Sequence, residues 1–200
     1  MSALSPGRPL HRRRLLRTAA LAAVWLAASA HTPYRQWKVY RQKHLLLLAH
    51  RGDPDSYELA NALAATLLAH LPESKARVTR APHLHRVASL LATGQLQFAV
   101  LKAQDAATML RGAAPLEAYG AVSLTAVARI GNHLLAARAD VPAEHAWLLA
   151  EALDGAQARG LPVDLPAEAS DAAPWALPAH AGARAYVRGE PLPHAEGRHE

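Results

Sequence analysis

The sequence contains no cysteine among its 200 residues, which excludes disulfide bonds and thiolate metal sites. It has one phenylalanine against 14 prolines, so its core has to be built from small aliphatic side chains. No P-loop, G-x-G-x-x-G, G-x-S-x-G or H-E-x-x-H pattern occurs in it. Because no acid–base or nucleophile constellation is assembled, we expect no enzymatic activity, no catalytic residue and no cofactor.

Acidic residues are missing from the first 30 positions, which hold five arginines. The rest of the chain has 17 basic and 16 acidic residues, so the formal net charge of +6 belongs mainly to the N-terminal segment. A nucleic-acid-binding domain would carry a basic stripe on its folded part. The distribution of charge therefore argues against nucleic acid as a partner.

Residues 1–30 have the layout of an export signal. A basic run at 11–17, HRRRLLR, precedes an apolar stretch at 18–30 that ends in Ala-Ser-Ala. The run also resembles a twin-arginine signal. We predict export to the periplasm, either with cleavage or with retention as an inner-membrane anchor. The alternative is an amphipathic start without a targeting role, and the apolar stretch is short for a span of roughly 20 residues.

Residues 31–43 form a spacer that is rich in cations and aromatic rings, with YRQWKVYRQK at 34–43. These rings could lie at the headgroup level of a membrane. An irregular arm that packs its rings on the domain is the simpler interpretation.

The hydrophobic pattern after residue 43 alternates between strands and helices. Strands are predicted at 45–49, 76–81 and 96–101, and helices from an Asp55 or Ser56 cap to Leu71, at 83–92 and at 102–111. Two more apolar runs, 124–130 and 133–137, meet at Gly131-Asn132 in a hairpin or a kink. A helix over 143–156 follows, and then coil from 160 except near 180–187. This order predicts an α/β lobe over 44–158 with a mostly parallel sheet flanked by helices, and a Pro- and Ala-rich segment, 159–200, partly packed on it.

The loop HRGDPDSY at 50–57 is the candidate binding site, because α/β sheets bind ligands at the carboxyl ends of their strands. Arg51 can pair with a carboxylate or phosphate, and Ser56 with the first helical N–H groups can complete an anion nest. Alternatively, Arg51 pairs with Asp53 or Asp55, which would repel an anion, and the loop is a plain polar turn. The predicted ligand-binding residues, with two from the end of the third strand, are His50, Arg51, Gly52, Ser56, Tyr57, Lys102 and Gln104.

The sequence contains twelve histidines, and because histidine is a common metal ligand a metal site has to be considered. The closest spacing, His83-x-His85, puts the two rings on different faces of a helix without a third ligand, so we interpret both as surface or capping side chains. His50 and His133 can approach each other at strand ends. There we expect hydrogen bonding rather than a metal ion.

Four pieces of the chain follow one another in a familiar order. They are Gly52 and Tyr57 of the first loop, the helix and strand from Val87 to Lys102, LLAARADVPAEHAWLLAEA at 134–152, and PAHAGARAYVRGE at 178–190. This order resembles the solute-binding proteins of TRAP transporters, of the TAXI type. The resemblance implies a periplasmic-binding-protein-like fold, extracytoplasmic binding of a small organic anion, and a membrane transporter subunit as a partner.

Two features depart from that family. Asp53, Pro54 and Asp55 stand where its first loop has further glycines, and two residues separate 124–130 from 133–137 where a second lobe would be inserted. Closure of two lobes around a ligand needs both lobes. We therefore expect a one-lobed form that binds on an open face. The alternative function is an accessory protein of the cell envelope that docks a protein partner through that face.

Overall fold

The computed structural model describes residues 44–157, 161–166 and 176–193. The predicted export signal and spacer, 1–43, lie outside the described residues. No helix within the described ranges is long and apolar enough to cross a membrane.

Strands and helices alternate through most of the described chain. In order, they are β1 (Leu46–His50), α1 (Pro54–His70), β2 (Arg77–Ala81), α2 (Leu84–Ala92), β3 (Phe98–Lys102), α3 (Ala103–Arg111), β4 (Leu124–Ile130), β5 (His133–Arg138), α4 (Ala143–Gln157), β6 (Val163–Asp164) and α5 (Ala181–Val187). The elements predicted from apolar periodicity are therefore present, with bounds that differ by a few residues.

The six strands form one open sheet in the order β2-β1-β3-β5-β4-β6. β1 pairs in parallel with β2 and β3, whereas β5 is antiparallel to β3 and to β4, and β6 is antiparallel to β4. Four strands thus point the same way, and β5 and β6 are reversed. The predicted class, an α/β lobe with a sheet flanked by helices, is confirmed.

Both faces of the sheet are covered. One hydrophobic cluster joins the sheet to α1 and α4 through Leu63, Leu67 and Leu153, and the other joins it to α2 and α3 through Leu91 and Met109. Because β1, β3 and β5 are buried on both faces of the sheet, their sequences are continuous apolar runs instead of alternating polar and apolar residues.

A two-residue turn, Gly131-Asn132, links β4 to β5 in a hairpin. Gly131 has a φ of 57°, and a positive φ at the first central position is the reason that such turns favour glycine. Of the two predicted alternatives, a hairpin and a kink, the structure shows the hairpin, and this connection has no room for a second lobe.

The C-terminal segment returns to the sheet and then forms α5 against α4. The backbone of Ala126 in β4 accepts from the His180 N–H at 2.8 Å and donates to the Pro178 carbonyl at 2.8 Å. The buried His180 ring then caps α5 by accepting from the Gly182 N–H at 3.1 Å. The Trp147 ring of α4 meets the Tyr186 ring edge-on, with centroids 5.2 Å apart. The predicted exception to coil near 180–187 is confirmed, and that segment is helical, whereas β6 is a strand where coil was predicted.

The His180 cap makes the fold sensitive to acid. Burial lowers the pKa of His180 below its ordinary value of 6.5. A backbone hydrogen bond with Val141 raises this pKa, and the positive charge of Arg184 lowers it further. Because the unfolded chain then binds the proton more tightly, we expect stability to fall as the pH drops below about 6.5 toward the lower folded value. Urea unfolding of the wild type and of His180→Asn across that range measures the effect, and equal pH slopes in the two proteins would contradict it.

Candidate binding site at the carboxyl ends of β1 and β3

The predicted binding loop lies at an edge of the sheet where several element ends meet. The neighbouring parallel strands β1 and β3 end at His50 and Lys102, and α1 and α3 begin just beyond them. β5 runs the other way, so its first residue, His133, pairs directly with Lys102. The sheet order therefore brings residues 50–57, 102–105 and 133 to one edge.

Asp53 is the centre of this edge. Its side chain is 6% exposed; Oδ2 lies 2.9 Å from His133 Nε2, and Oδ1 lies 3.6 Å from Lys102 Nζ. Burial raises the pKa of Asp53, but the hydrogen bond and charge of His133 and then the charge of Lys102 outweigh it, so the pKa is below its usual value. A buried carboxylate thus stays ionised and fixes the imidazole and the ammonium beside it.

Asp105, in the first turn of α3, adds a second carboxylate to the edge. Burial raises the pKa of Asp105 above its usual value, against the charges of His50 and Lys102, which lower it. Asp53 raises the pKa of Asp105 as well. The two carboxylates, the two imidazoles and Lys102 therefore form one electrostatic cluster.

The start of α1 differs from the prediction. The helix begins at Pro54, so Asp53 rather than Asp55 or Ser56 occupies the N-cap position, and the Asp53 side chain makes no capping bond. The predicted Asp55 or Ser56 cap is wrong, because the fixed φ and missing N–H of Pro54 suit the first helical position and start the helix earlier.

Ser56 is fully buried and links three elements. Its hydroxyl accepts from the His50 N–H at 3.2 Å and donates to the Val100 carbonyl at 2.7 Å. The side chain that was predicted to complete an anion nest therefore connects β1 to β3 through α1.

Ser56→Ala is expected to destabilise the domain by about 1–2 kcal/mol, because the substitution leaves a buried carbonyl without its hydroxyl donor. Chemical denaturation measures the loss, and the exposed Ser123→Ala serves as the control. A stability equal to that of the control would show that the two hydrogen bonds contribute nothing.

Of the other predicted ligand-binding residues, some lie at this edge of the sheet and some lie beside it. The Arg51 side chain is exposed, and within the described part of the chain it has no ion pair with Asp53 or Asp55. The His50 ring packs over Gly52, whose added Cβ would lie 2.9 Å from His50 Nε2.

Tyr57 and Gln104 lie further from the centre of the cluster. The Tyr57 ring is covered by the Arg80 guanidinium of β2, 4.3 Å from the ring centroid. Gln104 is exposed at the start of α3. The structure thus places His50, Arg51, Gly52 and Lys102 at the carboxyl ends of the neighbouring strands β1 and β3, whereas Ser56 is buried and Tyr57 contacts Arg80 of β2.

His83 and His85 belong to another part of the surface. His83 caps α2 by accepting from the Arg86 N–H at 3.1 Å, and its ring contacts that of His85. The capping role predicted for His83 is confirmed. In the ranges that the structure describes, no group of three or more His, Cys, Asp or Glu side chains is arranged to hold a metal ion.

The edge contains two cationic hydrogen-bond donors, Lys102 and Arg51, close to the buried carboxylate of Asp53. Lys102 is 43% exposed and has three donors, and Arg51 has five in a planar fork that fits a carboxylate. Comparisons with models of protein families, with curated proteins and with solved structures gave no match, so the function has to be inferred from this geometry.

Proposed function

We propose that this domain binds a small organic anion at the edge that holds Arg51, Lys102 and His133. The proposal includes export to the periplasm and a role like that of the TAXI-type solute-binding proteins of TRAP transporters, with a membrane transporter subunit as partner. The observation that carries the proposal is the buried, ionised Asp53, which fixes Lys102 and His133 at the carboxyl end of two parallel strands.

The arrangement leaves positive charge for a ligand. Asp53 lies beside His133 and Lys102, and within the described residues the exposed Arg51 has no ion pair with Asp53 or Asp55. A carboxylate could then accept a bidentate hydrogen bond from Arg51 and a further one from Lys102. Because the two-residue hairpin leaves no second lobe, the anion would bind on an open face, where solvent screens each contact.

Docking of a protein partner is the second candidate, and the same hairpin favours it. A lobe that cannot close around a solute can still accept an acidic side chain or a chain-terminal carboxylate of another envelope protein. The same donors, Arg51 and Lys102, would be used in that case.

Arg51→Ala tests the proposal in thermal melts of the full chain with acetate, succinate, malate and ethanesulfonate. An anion at about 100 times its Kd is expected to raise the melting temperature of the wild type by about 5 °C, because it binds the folded state alone. Without the Arg51 fork, we expect most of that rise to be lost.

Arg111→Ala is the matched control, since Arg111 is an exposed arginine at the far end of α3. It should retain the full rise. A rise of the same size in Arg51→Ala would place the anion elsewhere on the chain. No rise with any of the four anions would overturn solute binding, and docking would then remain to be tested with a purified partner.

A further inference from the structure

Strand β2 forms one end of the sheet, and within the described residues β1 is its only neighbouring strand. Its five residues, Arg77–Ala81, pair in parallel with β1 along their whole length. The opposite end of the sheet is the two-residue strand β6. In the part of the chain that the structure describes, β2 is therefore the longer edge to which a further strand could be added.

The outer backbone groups of β2 belong to Val78 and Arg80. The Arg77 N–H donates to the Leu45 carbonyl at 2.8 Å, so the backbone of Arg77 faces β1. Successive residues of an edge strand face its neighbour and face away from it in turn. The N–H and C=O groups of Val78 and Arg80 are therefore directed away from the sheet, and they offer two donors and two acceptors to an added strand.

The segment that contains β2 carries positive charge and no negative charge. Residues 74–104 include no aspartate or glutamate, whereas Lys75, Arg77, Arg80 and Arg86 are all exposed. None of these four cations has an ion pair within the described ranges. The open edge is therefore cationic, and its charges are available to a partner.

Arg77 and Arg80 flank this edge on opposite faces of the sheet, because successive side chains of a strand alternate between the faces. The Arg80 guanidinium lies on the face of α1, 4.3 Å from the centroid of the Tyr57 ring. Arg77 shares its face with Ala81, which is buried in the cluster that joins the sheet to α2 and α3. An added strand would therefore meet one guanidinium on each face.

We propose that β2 binds an extended, acidic segment of a protein partner, which adds to the six-stranded sheet as a further strand. Main-chain hydrogen bonds to Val78 and Arg80 supply affinity, and ion pairs with Arg77 and Arg80 select acidic side chains. Two acidic residues three positions apart in the partner place one carboxylate on each face, in either strand direction. This surface uses neither Arg51 nor Lys102, so it is independent of the proposed anion site.

A second copy of this chain fits the edge less well. Pairing of β2 with β2 of another copy would bring the arginines of both strands to one seam, and like charges on neighbouring strands are destabilising. The same positive charge protects the edge against self-pairing. An acidic strand replaces this repulsion with attraction, and it is therefore the partner that the charges favour.

NMR of the 15N-labelled full chain with the peptide acetyl-VTEVTEVT-amide, whose two glutamates are three positions apart, tests this inference. We expect saturable shifts along β2 and slower amide hydrogen exchange at Val78 and Arg80, because their N–H groups gain acceptors. The exchange of Arg77 and Thr79, whose N–H groups face β1, should change little. This difference separates strand addition from a loose electrostatic contact.

Control peptides and variants assign the recognition. The isomer VTEVETVT, with both glutamates on one face, and the cationic VTKVTKVT should bind more weakly than VTEVTEVT. Replacing both arginines, Arg77→Gln with Arg80→Gln, should lower the affinity for VTEVTEVT by about tenfold, because two cross-strand charge pairs are lost. Both side chains are exposed, so the variant should fold. Arg111→Gln, at the far end of α3, should bind as the wild type.

Three results would overturn the inference. The first is the absence of saturable shifts in β2 at about 1 mM VTEVTEVT, or equal binding of either control peptide. The second is an unchanged affinity in the double arginine variant. The third is slow exchange at Val78 and Arg80 that develops with protein concentration in the absence of peptide, which would assign the edge to a second copy.

Discussion

Gly182→Ala is expected to lower the free energy of unfolding by about 3 kcal/mol. A Cβ on Gly182 would lie 1.9 Å from the Ala143 carbonyl oxygen and 2.9 Å from the Trp147 backbone nitrogen. Both neighbours are backbone atoms of α4, so neither can turn away as a side chain could. The substitution must push α5 from α4, and urea denaturation measures the loss.

Gly155→Ala is the matched control, because it adds the same methyl group to a helix of the same pair. The atoms nearest to its added Cβ belong to the His70 side chain and lie 3.5 Å away or more, at ordinary contact distance. Alanine is favoured over glycine inside a helix by about 1 kcal/mol, so this variant should be slightly more stable than the wild type. Equal stabilities for the two variants would contradict the close approach of α5 to α4.

Asp53→Asn is expected to destabilise the domain by about 3 kcal/mol at neutral pH. The substitution removes the charge of a buried carboxylate that lies 2.9 Å from His133 Nε2 and 3.6 Å from Lys102 Nζ, and loss of a buried charged partner typically costs about 3 kcal/mol. The pKa of Asp53 is lowered in the folded state, so its contribution is present above the ordinary value of 3.8 and is lost as the pH falls through the folded value. The difference between variant and wild type should therefore shrink in acid.

Asp55→Asn provides the control for this prediction. Asp55 is an exposed carboxylate in the first turn of α1, where it interacts favourably with the helix dipole and has no ion pair among the described residues. We expect a loss of about 0.5 kcal/mol. If Asp53→Asn were no more destabilising than Asp55→Asn, the buried network would not hold the edge together.

Local patterns were sufficient to predict the fold class and the elements up to α4, whereas the two-residue strand β6 was missed. The buried runs of β1 and β3, the helical stripe of α1 and the Gly131-Asn132 turn each depend on neighbours within a few residues. Such signals can be read along a chain without knowing what packs against it.

The centre of the candidate site could not be predicted in the same way. Asp53 and His133 are 80 residues apart, and they meet because β5 inserts beside β3 in a register that pairs His133 with Lys102. Local periodicity indicates the type of each element and does not determine which strands are neighbours in the sheet. One signal was available, since an aspartate directly before a proline at a helix start marks Asp53 rather than Asp55 as the N-cap position.

Segment 178–190, which carries part of the predicted resemblance to TAXI-type proteins, is accounted for by packing. His180 caps α5, Gly182 permits its approach to α4, and Tyr186 packs on Trp147 while donating to Asp154 at 3.0 Å. The same residues would serve any fold that docks a short helix on this face. Packing therefore explains these residues without any reference to a ligand.

Amide chemical-shift mapping of the 15N-labelled full chain during titration with ethanesulfonate at about pH 6 tests the central claim most directly. The account predicts saturable shifts at residues 50–56, at Lys102 to Asp105 and at His133, with those of α4 and α5 unchanged. Absence of saturable shifts at that edge, or shifts concentrated on α4 and α5, would contradict it.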